Sequence, residues 1–331
     1  MEERERAHAG TRGRLFDADG HDRAFDISQE ALPSGKDRRL VWIDIDLDHG
    51  GSLDPVAEAL KLGERDRRRI EADTDRPRLV QSVDLLHLTV EALEPETDQP
   101  DSPLDRREVD ILAAPSLVVT VHRGPIAAID RFADSLHDET SLGALDAGEL
   151  LSTIVDEIIS GYYRLVESVE QRIDRLDQAA LQVGPDVDIL AEIVTVRGLI
   201  GDIRRTLAPH RTALAALARP EMGTEEAVGR PWPGLVDRLE VALSSIEALR
   251  DALLGTYDIH MGRAAQRGND VMKALTVLSA VLLPAVVVAG IMGMNFQHPF
   301  FDDESNMYIV VAAMVAFSVL LLAFARWRRW I

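Results

Sequence analysis

The residues whose types and spacing could do chemistry lie near the C-terminus, between Asn269 and Asn295. Asn269-Asp270-Val271-Met272-Lys273-Ala274 opens an apolar run from Leu275 to Met294, and Asn295 closes it. Counting by sevens from Asn269 gives Thr276, Leu283 and Gly290; from Met272 it gives Ser279, Val286 and Gly293. These positions alternate by three and four, so on an α-helix they form one stripe. The stripe gathers Asn269, Thr276, Ser279, Gly290 and Gly293, whereas the other faces carry Val, Leu, Ile, Ala and Met. Small and hydroxyl residues on one face suit close helix packing. The same residues suit the wall of a water-filled pore, with an amide at each end. Pattern alone leaves both readings open. Two helices cannot enclose a pore, so the second reading requires a closed oligomer with the stripe toward its axis.

The elements that must position this stripe are membrane spans. No residue from Ala274 to Phe301 carries a formal charge, and about 20 apolar residues cross about 30 Å of hydrocarbon as a helix. A second apolar run, Met307 to Ala325, ends in Arg326-Trp327-Arg328-Arg329-Trp330. The loop between the runs holds Asp302, Asp303 and Glu304 but no Lys or Arg, while Arg263, Arg267 and Lys273 precede the first run. The positive-inside rule therefore places both termini in the cytoplasm and the acidic loop outside. A two-span protein of the cell membrane, in contact with its lipid, is expected.

Gly293-Met294-Asn295 at the exit of the first span, a short outer loop and a basic Trp-containing tail resemble the CorA family of divalent cation transporters. The string Asn269 to Thr276 and Pro284 resemble that family's first span as well. Departures are Met292, where Tyr is common, and Gln297-His298-Pro299-Phe300-Phe301 in place of a Met-Pro-Glu-Leu element. The resemblance implies a funnel-shaped homopentamer carrying Mg²⁺, with Co²⁺ or Ni²⁺ as further cargo, and no cofactor beyond the ion itself. It implies that Gly293, Met294 and Asn295 form the filter and that Asn269, Met272, Leu275, Thr276, Ser279, Leu283, Val286 and Gly290 line the pore or its gate. Asp302, Asp303 and Glu304 would attract cations to the mouth. It also places a regulatory metal at Asp258, between neighbouring subunits; Glu94, Glu96 and Asp98 are candidate partners that no family motif matches. By itself Asp258 reads as a solvated charge on an acidic protein, and only the family register favours the metal.

The rest of the chain fits a soluble domain ahead of the spans. The 331 residues carry a net charge of −20, which argues against nucleic-acid binding and favours cations near the surface. There is no Cys, which excludes disulfides and thiolate metal sites. Met1 to Ala9 is charged and lacks an apolar h-region, so no cleaved signal peptide is expected. Asp17-Ala18-Asp19-Gly20 reads as a turn between short strands, since the remaining ligands of a calcium loop are missing. Leu40 to Ile45 reads as a strand, and Pro55 to Leu62 as a helix capped by Asp54. Arg78 to Leu93 reads as strand, Glu94 to Arg107 as a Pro- and Asp-rich loop, and Val109 to Val121 as two strands turning at Ala114-Pro115-Ser116. Arg76-Pro77-Arg78 and Thr120-Val121-His122-Arg123 resemble further family strings. An α+β domain over 1–140 is thus expected. A helical hairpin and linker follow over 141–233, with Ile154, Ile158, Leu165, Val169, Ile173 and Leu176 on one stripe. Arg204-Arg205 on its second helix reads as an anion site or as a salt-bridged face. A stalk helix over 234–294 continues as the first span from about 274, then come a loop over 295–306, the second span over 307–326 and the tail over 327–331.

No catalytic constellation is present. The chain lacks a phosphate-binding Gly-rich loop followed by Lys-Ser/Thr, a His-Glu-x-x-His and a Gly-x-Ser-x-Gly. Its nine His are scattered. The expectation is a transporter rather than an enzyme. A zinc-handling relative and a non-conducting two-span anchor or sensor are the alternatives.

Overall fold

The structure is a computed structural model that describes residues 10–17, 22–33, 39–72, 76–82, 85–95, 103–136, 147–181, 189–217, 232–294 and 304–328. It divides into two compact units, Met1–Gly255 and Thr256–Ile331. In chain order the first contains β1 (Thr11–Asp17), β2 (Arg23–Ala24), β3 (Arg39–Asp46), α1 (Asp54–Ala59), α2 (Glu64–Ala72), β4 (Arg78–Gln81), β5 (Leu86–Pro95), β6 (Leu104–Ala114) and β7 (Leu117–His122). Helices α3 (Ala127–Ser135), α4 (Ala147–Leu181), α5 (Ile189–Leu207) and α6 (His210–Leu217) follow. Helix α7 (Trp232–Met292) contributes its first part to this unit and the remainder to the second, which also holds α8 (Glu304–Trp327).

The strands form one sheet in the order β2-β1-β3-β7-β6-β5-β4, and every neighbouring pair is antiparallel except β3 with β7. Alternation assigns its two faces. Leu40, Trp42, Val109, Ile111, Ala113 and Val118 point into one core, and Val41, Ile43, Ile45, Leu112, Val119 and Val121 into the other. Side chains alternate with a period of two along a strand, so a strand apolar at successive positions must be covered on both sides. Helices α3 to α6 and the start of α7 cover the first face, and α1 with Ile70 of α2 the second.

Three sequence expectations change. Helix α1 is capped by Leu53, with no side-chain bond, and Asp54 sits in its first turn. The stretch read as a loop from Glu94 is strand at both ends: β5 extends to Pro95 and pairs with β6 from Leu104 onward. Trp232 and Pro233, read as linker, form the start of α7, and Trp232 is buried. Cross-strand pairing in the hairpin overrides a polar composition, and a buried indole anchors the helix start.

On α4 the apolar stripe is buried at Ile154, Ile158, Val169, Ile173 and Leu176, with Leu165 half-buried. Contacts of Arg172 with Glu192 (2.6 Å) and of the Tyr162 ring with His210 (6.1 Å) run in opposite chain directions, so the chain from α5 into α6 runs antiparallel to α4. Arg204 pairs with Glu247 (2.9 Å) and Arg205 with Asp202, which makes this a salt-bridged face and not an anion site. These helices also finish the sheet. Strand β4 pairs with β5 only as far as Thr89. Beyond it, the Glu91 N–H donates to His210 Nε2 (2.9 Å) and the Glu91 carbonyl accepts from the Tyr162 hydroxyl (2.7 Å). Two buried side chains thereby replace a missing strand edge. Accepting at Nε2 keeps His210 neutral, and burial pushes its pKa down to about 4.

Candidate functional site

In the second unit α7 runs on through Pro284, which supplies no N–H to the preceding turn. Both α7 and α8 are long and apolar enough to cross a membrane. Each carries one line of half-buried positions, with Val277 and Ala325 buried. On α7 these are Val277, Val281, Pro284, Ala285, Val288 and Met292; on α8 they are Asn306, Val310, Met314, Ser318, Leu321 and Ala325. Both lines step by three and four, as two helices that cover each other require.

The polar stripe lies on the other side of α7. On a helix turning about 100° per residue, the stripe centres roughly opposite the positions covered in this unit. Asn269, Thr276, Ser279, Gly290 and Gly293 are exposed, as are Met272, Leu275, Leu283, Val286 and Met294. No atom lies within 4 Å of a Cβ built on Gly290. The stripe is therefore not the surface that packs this chain's two spans together. The Thr276 hydroxyl donates to the Met272 carbonyl (2.8 Å), which uses its proton locally and leaves its oxygen free to accept. At the helix end Gly293 N–H bonds the Ala289 carbonyl (3.0 Å) and Met294 N–H the Ile291 carbonyl (3.1 Å). At the start of the stripe Lys273 and Gln266 both reach Asp270 (3.2 Å each).

Other candidates are placed less fully. Asn295, Asp302 and Asp303 lie outside the described residues, as do Glu96 and Asp98, and Glu304 is described as the first residue of α8 without its side chain. Asp258 is exposed on α7. Glu94 acts within its own unit, where its Oε1 accepts from Ala127 N–H (3.0 Å) at the start of α3. Burial raises its pKa, which this backbone bond and the nearby Arg131 and Arg107 only partly offset. Among the described residues no group of three or more His, Asp or Glu is arranged to hold a metal.

Sequence reasoning missed two buried polar networks in the first unit. Asp44 meets Thr120, His122 and Arg12, and Asp110 accepts from Thr89 (2.7 Å) and pairs with His87 (2.6 Å). Polar residues inside otherwise apolar strands were the available signal. Their partners are 21 to 78 positions away, so strand pairing had to be known first.

A family model described as CorA-like Mg2+ transporter protein matches residues 37–326. The chain is 26% identical over 188 residues to the cobalt/magnesium transport protein CorA of Thermotoga maritima; this alignment covers 56% of the chain and about half of that relative (53%). It is 23% identical over 303 residues to the cobalt/magnesium transport protein CorA of Methanocaldococcus jannaschii, covering 90% and 93% of the two chains. The complete structure of the CorA magnesium transporter from that organism superposes with a TM-score of 0.78 at 21% identity, over 98% of this chain and 99% of the other. The zinc transport protein ZntB of an Enterobacter species is 21% identical over 260 residues, 77% of this chain and 76% of its own. With the family model spanning nearly the whole chain and the complete fold shared, this protein belongs to the CorA-like Mg2+ transporter family.

Proposed function

We propose that the chain is a divalent cation channel, conducting Mg²⁺ in hydrated form through a homopentamer whose axis is lined by the α7 stripe. The observation that carries this reading is the placement of the stripe opposite the positions covered in the second unit. A face built from hydroxyls, amides and glycines, and not used for packing within the chain, is suited to water once copies close into a ring.

The chemistry follows from the ion. Mg²⁺ dehydrates reluctantly, so rapid passage favours recognition of its water shell. Asn295 oxygens repeated around the mouth would accept hydrogen bonds from those waters, and Gly290 and Gly293 would leave room for the hydrated ion. Met272, Leu275 and Leu283 would form an apolar constriction that dewets when closed. Asp302, Asp303 and Glu304 would raise the local cation concentration. Entry needs no fuel: a divalent ion gains about 4.6 kcal/mol per 100 mV of inside-negative potential.

Asp258 would hold a regulatory divalent ion between subunits. Cytoplasmic Mg²⁺ would thereby offset repulsion among acidic chains and keep the constriction shut. Resemblance to ZntB favours zinc as the second cargo to test. Purified protein in liposomes should admit Mg²⁺ under an inside-negative potential. Influx of Zn²⁺ alone would transfer the assignment to the zinc-handling reading, and no influx of Mg²⁺, Co²⁺ or Zn²⁺ would favour the anchor or sensor.

A further inference from the structure

We propose that His122, in its doubly protonated form, is a latch that ties the β7–α3 turn to the sheet, and that losing one proton loosens that turn and the start of α3. The geometry is specific. His122 is buried at the end of β7, with Nε2 3.2 Å from Asp44 Oδ1 and Nδ1 2.8 Å from the Gly124 carbonyl. A carbonyl and a carboxylate can only accept, so both ring nitrogens must donate, and only the imidazolium has two N–H groups. The Asp44 carboxylate is already held from its other sides by Thr120 Oγ1 and by Arg12 Nε (2.8 Å). Thr120 has no choice of direction, because its oxygen accepts the Trp42 indole N–H (3.2 Å) and its own proton is left for Asp44.

Two polar ties of α3 pass through this network, beside the Glu94 bond to Ala127 N–H, the Arg131–Glu157 pair and the buried Ile129 and Phe132. Gly124, at φ +68°, makes the turn into α3; its N–H donates to Asp46 Oδ1 (3.0 Å) and its carbonyl accepts from His122. Asp130 on α3 accepts from Arg12 Nη2 (2.9 Å), the same guanidinium that holds Asp44. A neutral His122 must abandon either the Gly124 carbonyl or Asp44. The first opens the turn, and the second leaves a buried carboxylate short of a donor.

Charged groups on every neighbouring element bear on the latch. They are Arg12 on β1, Asp44 and Asp46 on β3, Glu94 on β5, Arg107, Glu108 and Asp110 on β6, Arg123 beside His122, and Asp130 and Arg131 on α3. Burial disfavours the imidazolium, but the bond to Asp44, its charge, the Gly124 carbonyl and Asp46 outweigh this and hold the His122 pKa above its usual value. The sign follows from the raised value. Stabilisation is full below the unfolded pKa of about 6.5 and is lost as pH rises through the folded value.

Hydrogen exchange of the intact protein in detergent tests the latch, with rates corrected for the intrinsic effect of pH. Protection of amides 126–136 should fall by up to about tenfold per pH unit above about pH 6.5, then level off. His122→Gln keeps one donor and cannot titrate, so its protection should lack this fall, with Glu94 and the other groups unchanged as internal controls. If that variant does not assemble, Asp44→Asn serves: without the carboxylate the fall should vanish or move below about pH 6.5. Wild-type protection that stays flat from pH 6 to 9, or a variant that keeps the wild-type fall, overturns the proposal.

Discussion

Helix α7 belongs to both units, and its two parts obey opposite rules. In the first unit one apolar stripe is covered: Trp232, Leu235, Leu239, Ala242, Leu243, Ile246, Leu249 and Leu253 are all buried, while Val241 and Leu254 stay exposed. In the second unit apolar residues are open: Met272, Leu275, Leu282, Leu283, Val286 and Val287 are each more than half exposed. One part is an amphipathic helix completed by its own chain. The other is apolar on nearly every side, as a helix long enough to cross a bilayer is. Composition alone does not separate these cases; the spacing of small and polar residues does. In the first part charges mark the outside, and in the second hydroxyls, amides and glycines mark the face opposite the half-buried positions.

The largest effect is expected at the end of the second part. Asn295→Ala should abolish Mg²⁺ influx in an assembled oligomer, because the amide would be the ligand of the ion's water shell. Were Asn295 only a helix C-cap, influx would be near normal, and the filter assignment would fall.

Core truncation sharpens the contrast in stability. Leu239→Ala, at a fully buried position, should cost about 2–5 kcal/mol, read as a lowered melting temperature in detergent. Leu275→Ala, at a position 54% exposed, should leave melting nearly unchanged while weakening closure of the constriction. Equal losses at both sites would erase the distinction between the parts.

A pH effect confined to the first unit comes next. His210 is held neutral in the fold with a pKa of about 4, whereas in the unfolded chain it charges near pH 6.5. Stability should therefore fall as pH drops from about 6.5 to 4, by on the order of 3 kcal/mol. His210→Gln should flatten the acid limb of melting temperature against pH; an unchanged limb would assign it to other groups.

The smallest effect concerns Asp258. Asp258→Asn should shift inhibition by internal Mg²⁺ to higher concentration and leave maximal flux intact. An unchanged inhibition curve would remove the residue from gating.

Much of the second unit was legible in the sequence because a bilayer imposes length and charge rules that one helix satisfies locally. Gly293-Met294-Asn295 and the three-four stripe needed no tertiary knowledge. The β6–β7 turn was legible for a similar reason, with Pro115 and Ser116 between two apolar runs. The Asp44–His122 pair was not, since it exists only once β3 lies parallel to β7 with Asp46 opposite His122. Nor was the β5–β6 hairpin beyond Glu94, where pairing of Leu93 with Arg106 and Glu94 with Asp105 carries strand through residues whose polarity suggests loop. Local chemistry announced the candidate pore; the networks of the sheet are products of register.

The central claim is that the α7 stripe faces water in the open channel while the opposite, half-buried face does not. Single Cys replacements in the intact protein measure it directly, since the chain has no native Cys. Thr276→Cys, Ser279→Cys and Leu283→Cys should react with small water-soluble thiol reagents when the channel is open, and Ala280→Cys and Val281→Cys should not. Equal labelling on both sides of the helix would contradict the account.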